Sequence, residues 1–148
     1  MLGLGLIGAA LLAFGLAQFI HFEPPGQKTG LHARITGIYP YDARNHKPSG
    51  AAKDHYRTDE PFAAVIDWSE LPADLLVGAR WFTGGFAIDA GGVGPARAAD
   101  LTGAGIVPVN MGADRFPPGR YQVVVERYAK GRPVEVIARS SVLVAGSR

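Results

Sequence analysis

Phe116-Pro117-Pro118-Gly119-Arg120-Tyr121-Gln122-Val123-Val124-Val125-Glu126 reads as a firm turn that launches a β-strand. The two prolines fix the backbone of the turn, and the glycine after them lets the chain reverse. Beyond the turn, Tyr121, Val123 and Val125 recur with a period of two, which places them on one side of a strand. Three valines in a row also favour extended backbone, because branching at Cβ crowds a helix and suits a pleated surface.

The same reading extends in both directions. Downstream, a hairpin around Lys130-Gly131 leads into a last strand, in which Val136, Ala138, Ser140, Val142 and Val144 alternate with Ile137, Arg139, Ser141 and Leu143. Upstream, Phe62, Ala64, Ile66 and Trp68 share one face of a strand bracketed by Pro61 and Pro72. Val77, Ala79 and Trp81 share one side of the next, and Gly84-Gly85 then turns the chain into Phe86-Ala87-Ile88-Asp89. Gly91-Gly92-Val93-Gly94-Pro95 is expected to be a loop, and Ile106-Val107-Pro108-Val109-Asn110-Met111 an edge strand, since Pro108 cannot donate to a ladder. Arg34 to Tyr39 forms a first strand ended by Pro40, followed by a long exposed loop from Tyr41 to Ala52. Seven or so short strands with turns between them predict an all-β domain over residues 32–145.

Trp81 on a central strand, followed by the Pro-Pro-Gly-Arg-Tyr turn at 117–121 opening a valine-rich hairpin, resembles the immunoglobulin-like or fibronectin III-like β-sandwich of bacterial envelope proteins. The resemblance covers about residues 32–145 and is one of architecture. With no cysteine in the chain, it is to the disulfide-free branches of that fold. It implies that Tyr121 is a structural corner residue, and it carries no activity, since such sandwiches host many roles.

The first 20 residues contain no Asp, Glu, Lys or Arg. Leu2 to Ile20, as a helix, spans roughly 28 Å at 1.5 Å per residue, close to the ~30 Å hydrocarbon core of a bilayer. Residues 1–22 are therefore expected to form one transmembrane helix that stops before Pro24-Pro25, with residues 23–31 as a short linker. A cleaved signal peptide is the competing reading, with Gly15-Leu16-Ala17 offering small residues for a peptidase. The missing basic start and the long apolar run oppose it. Gly5, Ala9, Ala13 and Ala17 recur every four residues and mark a helix-packing face, although Gly and Ala are common in any apolar segment. Phe19, His21 and Phe22 fall at the expected membrane interface, where aromatic and amphipathic side chains anchor. Lys28 and Arg34 after the helix favour a cytoplasmic domain, but long domains translocate largely regardless of charge, and the expected side is periplasmic or extracytoplasmic.

A net charge of +2, with Lys and Arg interspersed among Asp and Glu, gives nucleic-acid binding little support. Gly84-Gly85 and Gly91-Gly92-Val93-Gly94 lack the Gly-Lys-Ser/Thr ending of a phosphate loop, and Ser69, Ser140 and Ser141 lack a nucleophile-elbow context. Asp42, His46, Asp54, His55, Asp59 and Glu60, with His32 upstream, are metal-ligand types, but their spacings match no metal signature and a solvated loop is rich in them anyway. Asp67 and Glu70 beside Trp68 form no cleft by spacing alone. No catalytic, cofactor or metal residue is assigned.

The expected function is a non-catalytic accessory or scaffolding subunit of a larger bacterial membrane complex, such as a respiratory or photosynthetic one. Its helix would pack on neighbouring membrane helices in the inner membrane, and its sandwich would dock on an extramembrane domain. The alternative is a free membrane-anchored envelope module that recognises a protein or polymer through sandwich-end loops. Exposed aromatics such as Tyr39, Tyr41, Tyr56 and Phe116 would then be its contacts.

Overall fold

Strands make up nearly all the regular structure in the computed structural model, which describes residues 28–101, 105–109 and 116–146. In chain order these are β1 (Arg34–Asp42), β2 (Lys47–Pro48), β3 (His55–Arg57), β4 (Phe62–Asp67), β5 (Leu76–Thr83), β6 (Phe86–Arg97), one helical turn α1 (Ala98–Leu101), β7 (Ile106–Pro108), β8 (Gly119–Ala129) and β9 (Arg132–Ala145). The fold is all-β. The expected transmembrane helix 1–22, including Gly5, Ala9, Ala13, Ala17, Phe19, His21 and Phe22, lies outside the described residues. Among the described residues no helix is long and apolar enough to cross a membrane.

The strands form two sheets, ordered β2-β1-β4-β7 and β3-β9-β8-β5-β6. Neighbours are antiparallel except β3, which runs parallel to β9. One apolar cluster draws on both sheets: Ile38, Phe62, Ala64, Ile66 and Val107 from the first, and Tyr56, Val77, Ala79, Trp81, Tyr121, Val123, Val125, Val142 and Val144 from the second. The alternation read from β4, β5 and β8 thus selects the core face correctly in each case. Phe62 sits at the centre, with the rings of Tyr56, Trp81, Phe116 and Tyr121 at 4.7, 5.4, 5.4 and 5.6 Å from its own. The Trp81 indole N–H crosses the core and donates to the Val107 carbonyl at 3.0 Å, tying one sheet to the other.

Four expectations are corrected. The glycine run at 91–95 is part of β6, not a loop. β6 has 12 residues and β5 has 8, and the surplus is taken up where the register slips between Val77 and Ala79 and between Ala79 and Trp81. Gly78 permits the close approach there, since a Cβ on it would lie 2.7 Å from the Val93 carbonyl oxygen and 3.1 Å from the Tyr128 ring. Pro40 does not end β1. Its carbonyl accepts from Ser49 N–H at 2.8 Å on the β2 side, so the N–H that proline lacks faces β2 and leaves the β4 side, where Pro40 pairs with Phe62, intact. The segment 41–52 is not one open loop, because Tyr41 and Asp42 pair with Pro48 and Lys47 across a tight reversal.

The last strand is the fourth. Register shifts opposite Val125/Glu126 and Arg127/Tyr128 break its simple alternation. Val142 and Val144 face the core as expected, but beyond the shift Ile137 and Glu135 become the buried residues.

Candidate interaction surface

The two ends of this two-layer structure differ. At the near end the chain arrives from its N-terminal segment and is docked at once. Thr29 N–H donates to Glu135 Oε1 at 2.7 Å, its hydroxyl donates to Oε2 at 2.8 Å, and Arg127 Nε donates to the same oxygen at 2.8 Å. Ala33 N–H then donates to the Ile137 carbonyl at 3.1 Å. The expected linker is therefore fixed to β9 from Thr29 onward. Burial alone would raise the Glu135 pKa, but the Thr29 and Arg127 donors outweigh it and hold the carboxyl below its ordinary value.

At the far end lie the β1–β2 reversal, the β5–β6 hairpin, the 117–119 turn and the end of β9. Gly84 and Gly85, at φ 57° and 85°, make the two-residue turn that tight hairpins require. Just past it, Phe86 is 47% exposed. Phe86 pairs with Thr83, which pairs with Tyr121, and the Tyr121 hydroxyl donates back to the Pro117 carbonyl at 2.9 Å. Pro117 and Pro118 are exposed beside it. In the next row, exposed Arg120 pairs with Leu143, 44% exposed, and Leu143 pairs with His55 on β3. These are two adjacent rows, so Phe86 takes the core side of the sheet just past its last layer while Arg120, Leu143 and His55 take the outer side, and together they edge five strand ends at ~4.8 Å spacing over roughly 19 Å.

Beyond His55 the row opens on a depression of about 560 Å³ lined by Lys53, His55, Arg57, Asp59 and Glu60 among others. Its charges are paired with one another. Lys53 is bonded to Glu60, and Arg57 clasps Asp59 through two bonds of 2.8 and 3.0 Å. His55 Nδ1 contacts Asp54 at 2.7 Å.

The sequence-derived contact residues separate. Tyr39 and Tyr41 are half-buried on β1. Tyr56 and Phe116 are not exposed anchors but core residues, at 2% and 7% exposure. Tyr56 points inward because β3 docks on β9 with Tyr56 opposite Val144, and its hydroxyl donates to the Ile38 carbonyl at 2.8 Å. Phe116 is held by its N–H to the Thr58 carbonyl at 2.6 Å. Phe86 and Leu143 were absent from that set, because a period of two reports which face a residue takes and not how near it lies to the end of a sheet.

The polar candidates are used locally. Asp42 accepts from Arg44 N–H, Asn45 N–H and the Asn45 amide at 2.9, 3.2 and 2.6 Å, closing the β1–β2 reversal. Asp67 accepts from Ser69 N–H and Oγ at 3.0 and 2.6 Å, and Glu70 lies 3.6 Å from Arg34. The shifted carboxyls Asp42, Asp54 and Asp67 all move down, through Asn45, His55 and Ser69 respectively. A general acid needs the opposite shift. Among the described residues no group of three or more metal-ligating side chains gathers, and His32 stands apart from the loop cluster at the start of β1.

No protein-family model matches the chain, and no curated protein does. Among solved structures, extracellular domains 3–5 of Drosophila OTK show a likeness at 14% identity and a TM-score of 0.40, over 84% of this chain and 38% of that one.

Proposed function

We propose that this chain is a non-catalytic accessory or scaffolding subunit of a bacterial membrane assembly. Its N-terminal helix seats it in the inner membrane, and an immunoglobulin-like sandwich on the extracytoplasmic side docks on a neighbouring protein. The immunoglobulin-like reading is supported by the division of β1, β4 and β7 from β5, β8 and β9, by the inter-sheet Trp81, and by the Tyr121 hydroxyl turned back on Pro117 in the manner of a tyrosine corner.

The observation that carries the docking role is the far-end rim on which Phe86 and Leu143 are exposed, one on each side of the larger sheet. It sets exposed apolar side chains, prolines and an arginine at the end of the domain opposite its attachment. Aromatic and arginine side chains are the types that interface centres favour. Blue-native electrophoresis of a mild-detergent extract tests the reading. A stable high-mass band is the expected result. A monomer-sized species would move the same surface to the second reading, a free envelope module, which the open depression beside His55 favours.

A further inference from the structure

The β8–β9 hairpin turns at Lys130-Gly131, with Lys130 at φ 52° and Gly131 at φ 74°. Both central residues of such a turn need the left-handed region, where Asn, Asp or Gly are at ease and Lys is not. The tip thus holds a long cation at a position that backbone preference assigns to other residues. Lys130 and Arg132 are both exposed, and neither has an ion-pair partner among the described residues.

The placement of this tip gives the charge its meaning. Ala129 pairs with Arg132 and Arg127 with Glu135, so the Thr29–Glu135 bond lies within a few residues of the turn. The chain therefore comes in from its N-terminal segment beside this hairpin, with Lys28 exposed next to Thr29. From residue 22 to Thr29 a fully extended chain covers at most about 25 Å. Thr29 and the near end then lie within that reach of a bilayer that holds residues 1–22.

We propose that Lys28, Lys130 and Arg132 form a cationic contact for anionic lipid headgroups, setting the tilt of the domain on the membrane so that the far end points away from it. This rests on the membrane-anchor reading above. The attraction is electrostatic and short-ranged, reaching about a Debye length, ~8 Å at physiological salt and ~3 Å at 1 M.

The cysteine-free chain allows a clean test. The full chain is reconstituted into phosphatidylcholine vesicles with or without phosphatidylglycerol. Single cysteines Ala129→Cys at the near end and Ala145→Cys at the far end carry a fluorophore, and a nitroxide-headgroup lipid is the quencher. The expected result is severalfold stronger quenching at 129 than at 145 in anionic vesicles, lost at high salt and lost in Lys130→Glu/Arg132→Glu. Equal quenching at the two sites, or quenching at 129 that ignores the charge reversal, overturns the lipid contact while leaving the anchor intact. Failure of the wild-type chain to float with either vesicle overturns the anchor, and the contact with it.

Discussion

The indole of Trp81 and the carbonyl of Val107 are 3.0 Å apart across the core, and theirs is a polar link between the two sheets. Trp81 is fully buried, against Phe62 and opposite Val123. Trp81→Ala should therefore destabilise the protein by ~3–5 kcal/mol in urea unfolding, because it leaves a cavity the sheets cannot close. Trp81→Phe should cost less than the alanine change, since the ring is partly replaced and mainly the donor to Val107 is lost, ~1–3 kcal/mol. Equal costs for the two would mean that ring packing adds nothing beyond the bond to Val107, and a negligible cost for Trp81→Phe would mean that packing alone holds the sheets together.

A second polar feature lies on the outer face of the larger sheet. Glu126 is fully buried there, held by Arg80 through two bonds of 2.8 Å, with the Tyr128 hydroxyl at 3.3 Å. Arg80→Ala removes the two bonds that the guanidinium makes to this carboxylate. The expected loss is ~1–3 kcal/mol, below the cost for a wholly buried pair because the Arg80 side chain is 35% exposed and water screens it. Glu126→Gln in the Arg80→Ala background should recover part of that loss, as measured by urea unfolding, because a neutral amide costs less to bury than a carboxylate that has lost its Arg80 bonds.

Glu135 gives a pH dependence of definite sign. Its pKa in the folded chain lies below the ordinary 4.5, so its contribution to stability is fully present above that value and is lost as pH falls through the lowered one. Urea midpoints followed from pH 7 down to pH 3 should fall less steeply in Glu135→Gln than in wild type. The protection of the Thr29 amide, taken relative to the intrinsic exchange rate at each pH, should fall over the same interval in wild type as the docked segment is released. Parallel curves for the two proteins would show that Thr29 and Arg127 do not hold a charged Glu135.

Much of the fold is legible in the sequence where one physical rule acts alone. Phe62, Ala64 and Ile66 alternate inward on β4 with Trp68 just past its end, and the same rule places Val77, Ala79 and Trp81, then Tyr121, Val123 and Val125. It fails where pairing overrides local preference. The glycine run belongs to β6 because Val93 and Ala96 pair with Ala79 and Val77 of β5 while the glycines take up the register slips between the paired residues, and Ile137 turns inward because bulges reset the phase of β9. The candidate surface was legible only in part. Tyr56 and Phe116 sit in stretches whose polar and proline content suggests exposure, yet long-range bonds to Ile38 and Thr58 draw them into the core. Phe86 is exposed because β5 and β6 turn just there at Gly84-Gly85, so its ring lies past the last core layer.

The central claim is that the far end of the domain, opposite its attachment, is the face that meets a protein partner. A photo-crosslinking amino acid in place of Phe86, compared with one in place of Leu76 at the near end, tests it most directly in intact cells. Leu76 is 41% exposed and so equally able to react. The account predicts a discrete adduct of higher mass from position 86, absent or much weaker from position 76. No adduct from position 86, or the same adduct at equal yield from both, would contradict it.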